Sequence, residues 1–99
     1  MRVEKDFKEF IALLNRFNAH YLIIGGFAYS FYAEPRYTKD IDILTSIKGV
    51  DFKNFWPNRV SGKYGDISVF FISKQDLICC KRLSGRKQDL ADIENLEKI

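Results

Sequence analysis

The stretch YLIIGGFAYSFYA, residues 21–33, with RYTKDIDIL, residues 36–44, decides how this chain is read. Tyr21 to Ile24 is a short continuous apolar run stopped by Gly25 and Gly26, the pattern of a strand buried on both faces that turns directly into a helix. No breaker follows until Glu34-Pro35, so that helix is predicted to reach about Ala33. Pro35 biases Glu34 toward extended backbone, which makes 34–37 a loop, and Thr38 to Leu44 is predicted as the next strand.

Working outward, Phe7, Phe10, Ile11, Leu14 and Phe17 draw an apolar stripe that predicts a helix over 5–18, ended by Asn18 and Ala19. On the other side, residues 45–66 carry little periodic signal. One or two helical turns are expected at Asp51 to Trp56, interrupted afterwards by Pro57, Gly62 and Gly65. Ser68 to Ile72 reads as a strand, Ser73 with Asp76 three residues later as a helix N-cap, and Gly85 as the C-cap of a helix that runs to Leu83 or Ser84. A last helix is predicted over 87–98, with Leu90, Ile93 and Leu96 on one side. With no repeat, low-complexity tract or linker, the reading is one α+β domain over residues 1–99, a small mixed β-sheet backed by helices.

Totals agree with a single globular domain. The 99 residues are 46% hydrophobic and 15% aromatic, enough for one core, and 16 basic against 13 acidic side chains leave a net charge of only +3. That excess is compatible with an anionic ligand but is far from a nucleic-acid-binding composition, so nucleic acid is neither implied nor excluded. Met1 to Asp6 lacks the apolar core of a signal peptide, and no run approaches the ~20 apolar residues of a membrane span. The expectation is a cytoplasmic protein without a membrane segment. Cys79 and Cys80 are adjacent, a spacing that suits neither a redox pair nor a zinc site, and are expected to be partly buried free thiols.

On a strand, residues i and i+2 face one side about 6.5 to 7 Å apart, so Asp40 and Asp42 are expected to aim two carboxylates into one small volume. Such like charges are tolerable with a cation between them, and hard oxygen donors suit Mg²⁺ shared with substrate phosphates. By itself a D-x-D pair is more often two unrelated solvated acids at a strand end. The Gly25-Gly26 turn adds weight, because glycines between strand and helix let backbone amides approach a phosphate at a helix N-terminus.

The order of helix, YLIIGGFAYSFYA, RYTKDIDI and KQDLICCKRLSGRKQDLADIENL resembles the minimal nucleotidyltransferases of the DNA polymerase beta-like superfamily, whose signature is a Gly-Gly or Gly-Ser turn followed by T-x-D-h-D. The resemblance covers nearly the whole chain. It implies transfer of a nucleoside monophosphate from an NTP, ATP in the first instance, to a hydroxyl, with Mg²⁺ or Mn²⁺ as cofactor. Residue by residue, it implies that Gly25 and Gly26 hold the triphosphate and that Asp40 and Asp42 are the catalytic metal ligands. Ser30, one helical turn further, either joins the nucleotide site or only packs. Arg36, Thr38 and Lys39 flank the metal strand at the nucleotide, with Arg36 and Lys39 either meeting phosphates or lying in a solvated loop, and Lys81 and Arg86 match basic residues that face the nucleotide. Asp89 and Asp92 are expected to brace the C-terminal helices, for instance by pairing with Arg86. Small relatives work beside a toxin-like helical partner, so a protein partner of a toxin-antitoxin kind is also implied.

The resemblance also shows a gap. Relatives carry a further strand with a third metal-binding Asp, whereas here Asp42-Ile43 runs straight into LTSIKGVDF, so the chain reads as an internally shortened, truncated member. None of Asp51, Asp66 and Asp76 replaces that third Asp convincingly, Asp66 coming nearest. Loss of the third carboxylate is expected to damage transfer more than NTP binding. Whether the chain is an enzyme stays open between an active transferase, a degenerate nucleotide- or partner-binding module, and a small basic RNA-binding module. A shortened sheet with open edges also predicts a homodimer, with Phe52, Phe55, Trp56, Phe70 and Phe71 as either interface or core.

Overall fold

The computed structural model describes residues 4–34, 41–45 and 52–99. The elements in chain order are α1 (Lys5–Arg16), β1 (Tyr21–Ile24), α2 (Gly25–Tyr32), β2 (Asp42–Thr45), α3 (Phe52–Phe55) with a 3-10 turn at Trp56–Asn58, β3 (Val60–Tyr64), β4 (Ile67–Phe71), α4 (Lys74–Ser84) and α5 (Lys87–Glu97). The architecture is α+β, as the sequence predicts. Among the described residues four strands form one mixed sheet in the order β2-β1-β4-β3, with β1 antiparallel to β2 and parallel to β4, and β3 antiparallel to β4.

The sheet is built around β1. Tyr21, Leu22 and Ile23 are all fully buried, and since successive side chains point to opposite faces, both faces of this strand are covered. Val69, Phe71 and Ile72 from β4 and its end continue the core, which α2 closes with Phe27, Ala28 and Tyr29 and α5 with Ile93 and Leu96. Two tyrosines fasten α2: Tyr32 Oη donates to the Ile72 carbonyl at 2.6 Å, and Tyr29 Oη accepts from Asn95 Nδ2 at 3.1 Å. Burial, and secondarily the nearby Asp76 charge, pushes the Tyr32 hydroxyl up to about 12.

Helix ends follow the sequence signals. Ser73 Oγ accepts from the Asp76 amide at 3.1 Å, capping α4, and Gly85 ends that helix with φ of 67°. Asn18 closes α1 with φ of 55°, a left-handed position that Asn tolerates better than most residues.

Several expectations need correction. The strand placed at 38–44 begins, among the described residues, only at Asp42 and extends to Thr45. Residues 60–64, read as interrupted loop, form β3, which meets β4 in a two-residue hairpin at Gly65-Asp66, Tyr64 opposite Ile67. Gly65 has φ of 64° at the first turn position, where hairpin turns of the II′ kind place glycine. Gly62 sits inside the strand because a Cβ there would lie 2.7 Å from Phe71 and 2.9 Å from Phe31, whose rings stack 4.1 Å apart. The α1 stripe is only half used: Ile11 is buried, but Phe10 is 49% exposed and Phe17 73%. Leu90 likewise faces outward. Phe52, Phe55 and Phe71 take the core alternative, and of the two thiols Cys80 is half-buried as expected whereas Cys79 is exposed. No helix among the described residues is long and apolar enough to cross a membrane.

Candidate functional site

Gly25 is both the end of the β1 run and the first residue of α2, with φ of 70°. A Cβ on it would lie 2.5 Å from Asp42 Oδ2 and 3.3 Å from the Asp42 Cβ and Cγ. Glycine is therefore needed twice over, for its left-handed backbone and for the space that the carboxylate fills. Antiparallel pairing puts Asp42 opposite Ile24, so the strand register itself delivers the acid to the glycine corner.

The corner opens into a cleft of about 170 Å³ whose polar lining is Asp42, Cys80, Lys81, Ser84, Arg86 and Asp89. The α4 and α5 helices supply the far wall as a network of charges. Lys81 Nζ donates to Asp92 Oδ2 at 2.9 Å and lies 3.6 Å from Asp89 Oδ1, while Gln88 Nε2 donates to the other Asp92 oxygen at 3.0 Å. Arg86 Nε donates to Asp89 Oδ2 at 2.8 Å. Lys81, Asp89 and Asp92 are buried, whereas the Arg86 side chain is 78% exposed at the mouth. The hydrogen bond from Arg86 is the main cause that holds the Asp89 carboxyl below the usual carboxylate range, against the opposing effect of burial. Arg86 in turn is pushed further toward its charged form, mainly by Asp89 and through space by Asp42. Asp42 is exposed and accepts no hydrogen bond among the described residues.

Of the residues singled out in the sequence, Gly25, Asp42, Lys81 and Arg86 are thus gathered in one cleft. Gly26 and Ser30 do not line it; the Ser30 hydroxyl donates back to the Gly26 carbonyl at 3.1 Å. Arg36, Thr38, Lys39, Asp40 and Asp51 lie outside the described residues. Asp66 and Asp76 are not third carboxylates of this cleft: Asp66 pairs with Lys8, whose hydrogen bond holds it below its ordinary range, and Asp76 accepts from Asn58 Nδ2 at 3.2 Å. Among the described residues, the acid that shares the cleft with Asp42 is Asp89, which the sequence assigns only as a brace. It is a brace as well, through Arg86 and Lys81. A signal existed: Asp89 and Asp92 fall on the same helical side as Ile93 and Leu96, so α5 carries two acids within its buried stripe.

The donor chemistry suits a hard divalent cation at Asp42, whose oxygens are exposed and free of hydrogen bonds among the described residues. Asp89 is neutralised by two cations. Among the described residues no group of three His, Cys, Asp or Glu side chains gathers as a metal site. No protein-family model and no curated protein matches this chain.

Proposed function

We propose that the cleft binds a nucleoside triphosphate with Mg²⁺ or Mn²⁺, as a nucleotidyltransferase-like module whose transfer step is weak or lost. The observation that carries this reading is the seating of the Asp42 carboxylate on Gly25 at the start of α2, with Lys81 and Arg86 across the same cleft. Asp42 is the described residue that would hold the ion, and a bound ion would neutralise phosphate charge and orient the polyphosphate. The α2 amides favour an anion at this corner, and Arg86, exposed at the mouth, can exchange Asp89 for a phosphate oxygen.

Weak transfer follows from the charge inventory. Activation of an attacking hydroxyl calls for carboxylates available to a second ion, and Asp89, the other acid lining the cleft among the described residues, is committed to Arg86 and Lys81. Calorimetric titration with ATP and Mg²⁺, on the native chain and on Asp42→Ala, tests the binding. Saturable binding that the substitution abolishes is expected, and equal affinity in both proteins would sink the reading. Incubation with α-labelled NTP should then show little label transfer; rapid turnover would overturn the second half of the proposal.

A further inference from the structure

At the opposite end of β1 from the glycine corner lies a larger hollow of about 350 Å³, at the lower end of the ~300 to 1,000 Å³ usual for small-molecule sites. We infer that it is a second binding site, one that takes a nucleobase together with its phosphate. Asn15, Asn18, His20, Trp56, Ser68 and Phe70 line it, and no carboxylate does among the described residues.

Its centre is an aromatic stack. The His20 ring lies 4.2 Å from Trp56 with the planes 17° apart, and Phe70 meets Trp56 edge-on at 5.3 Å. The Arg59 guanidinium carbon sits 4.0 Å from the Trp56 ring centroid and is fixed there by an Nη1 hydrogen bond to the Trp56 carbonyl at 3.0 Å. Trp56 is therefore already in contact with His20, Phe70 and Arg59. His20 is exposed, so an incoming flat ring can extend the stack by one layer.

Polar groups decide which flat ring. The Asn15 amide is already engaged at both ends, donating to the Ser68 carbonyl at 2.7 Å and accepting from Tyr21 Oη at 2.8 Å. The Asn18 amide and the His20 ring nitrogens have no hydrogen-bond partner among the described residues, which leaves donors and acceptors for the edge of a heterocycle. A hydrocarbon ring would leave them unused. Around the rim, Arg59 and Lys63 add positive charge, Lys63 Nζ donating to Ser68 Oγ at 3.1 Å, while the nearby hairpin acid Asp66 is neutralised by Lys8. Stacking surface, unspent edge groups and flanking cations together match a base carrying a phosphate, supplied either as a free mononucleotide or as one nucleotide of a single strand.

Trp56 is the only tryptophan of the chain, so its fluorescence reports on this hollow alone. With EDTA present to silence any metal-dependent site, the full chain is titrated with AMP and with a short oligoadenylate, each protein read against its own starting signal. Saturable quenching is expected, weakened roughly tenfold by His20→Ala through loss of the stacking layer, and weakened also by Arg59→Ala. Asp42→Ala should bind as the native chain does. Circular dichroism confirms that each variant is folded. Quenching by AMP as well as by the strand identifies a mononucleotide site, and quenching by the strand alone a single-strand site. The inference is overturned if neither ligand quenches saturably, if His20→Ala and Arg59→Ala leave the affinity unchanged, or if Asp42→Ala removes it.

Discussion

The two ends of β1 make opposite use of the same buried strand. Beyond Ile24 the chain turns through a left-handed glycine into a cleft of carboxylates and cations that are mostly satisfied by one another. Before Tyr21 it emerges into aromatic rings with cations at the rim and unspent polar edges. One end is held by compensating charge and the other by packed π surface, so each should fail under different insults.

The largest expected effect is at the charged end. Lys81→Met removes the buried cation that Asp89 and Asp92 share, and should lower unfolding stability by about 3 to 5 kcal/mol, read as a shifted urea midpoint. Next comes the apolar side, where Gly62→Ala forces a methyl into the Phe31 and Phe71 stack; a loss of about 1 to 3 kcal/mol is expected in the same assay. Gly25→Ala is smaller in stability, about 1 to 2 kcal/mol for the left-handed backbone, yet it should displace the Asp42 carboxylate and abolish ATP·Mg²⁺ binding by calorimetry. Trp56 fluorescence should stay native in that variant. Equal damage at both ends would refute their independence.

Acid separates the ends more gently. Asp89 has a carboxyl held below its unfolded value, so it stabilises the fold above the usual carboxylate range. That contribution should fade as pH falls below about 4, and a melting-temperature profile should show the loss reduced in Asp89→Asn. At the alkaline side Tyr32, raised to about 12, works in the other sense. Its stabilisation is complete below the ordinary tyrosine value near 10 and declines as pH rises from there toward 12.

Much of this arrangement was legible because local signals were strong. The run Tyr21 to Ile24, the Gly25-Gly26 stop, the Ser73 cap and the Gly85 terminator each carry their own stereochemical reason, and those elements lie where that reasoning puts them. β3 was missed because Gly62 weakens a strand propensity and its justification, a pair of stacked rings from α2 and β4, is tertiary. The α1 stripe misled for a related reason. Spacing marks Phe10 and Phe17 as members of a face but cannot say where the neighbouring sheet stops. The convergence of Asp42 with Lys81 and Arg86 was anticipated from the resemblance, whereas the Asp89 role and the His20, Trp56 and Arg59 stack depend on residues distant in sequence.

The parallel pairing of Ile23 with Phe71 sets an order of events during synthesis. A nascent chain can zip β1 onto β2 as soon as Thr45 has emerged, since that pairing is antiparallel and near in sequence, but the other side of β1 stays bare until β4 leaves the ribosome. Throughout that interval an apolar strand keeps one edge open, so slower translation between Thr45 and Phe71 should raise the share of chain lost to aggregation, read as insoluble product.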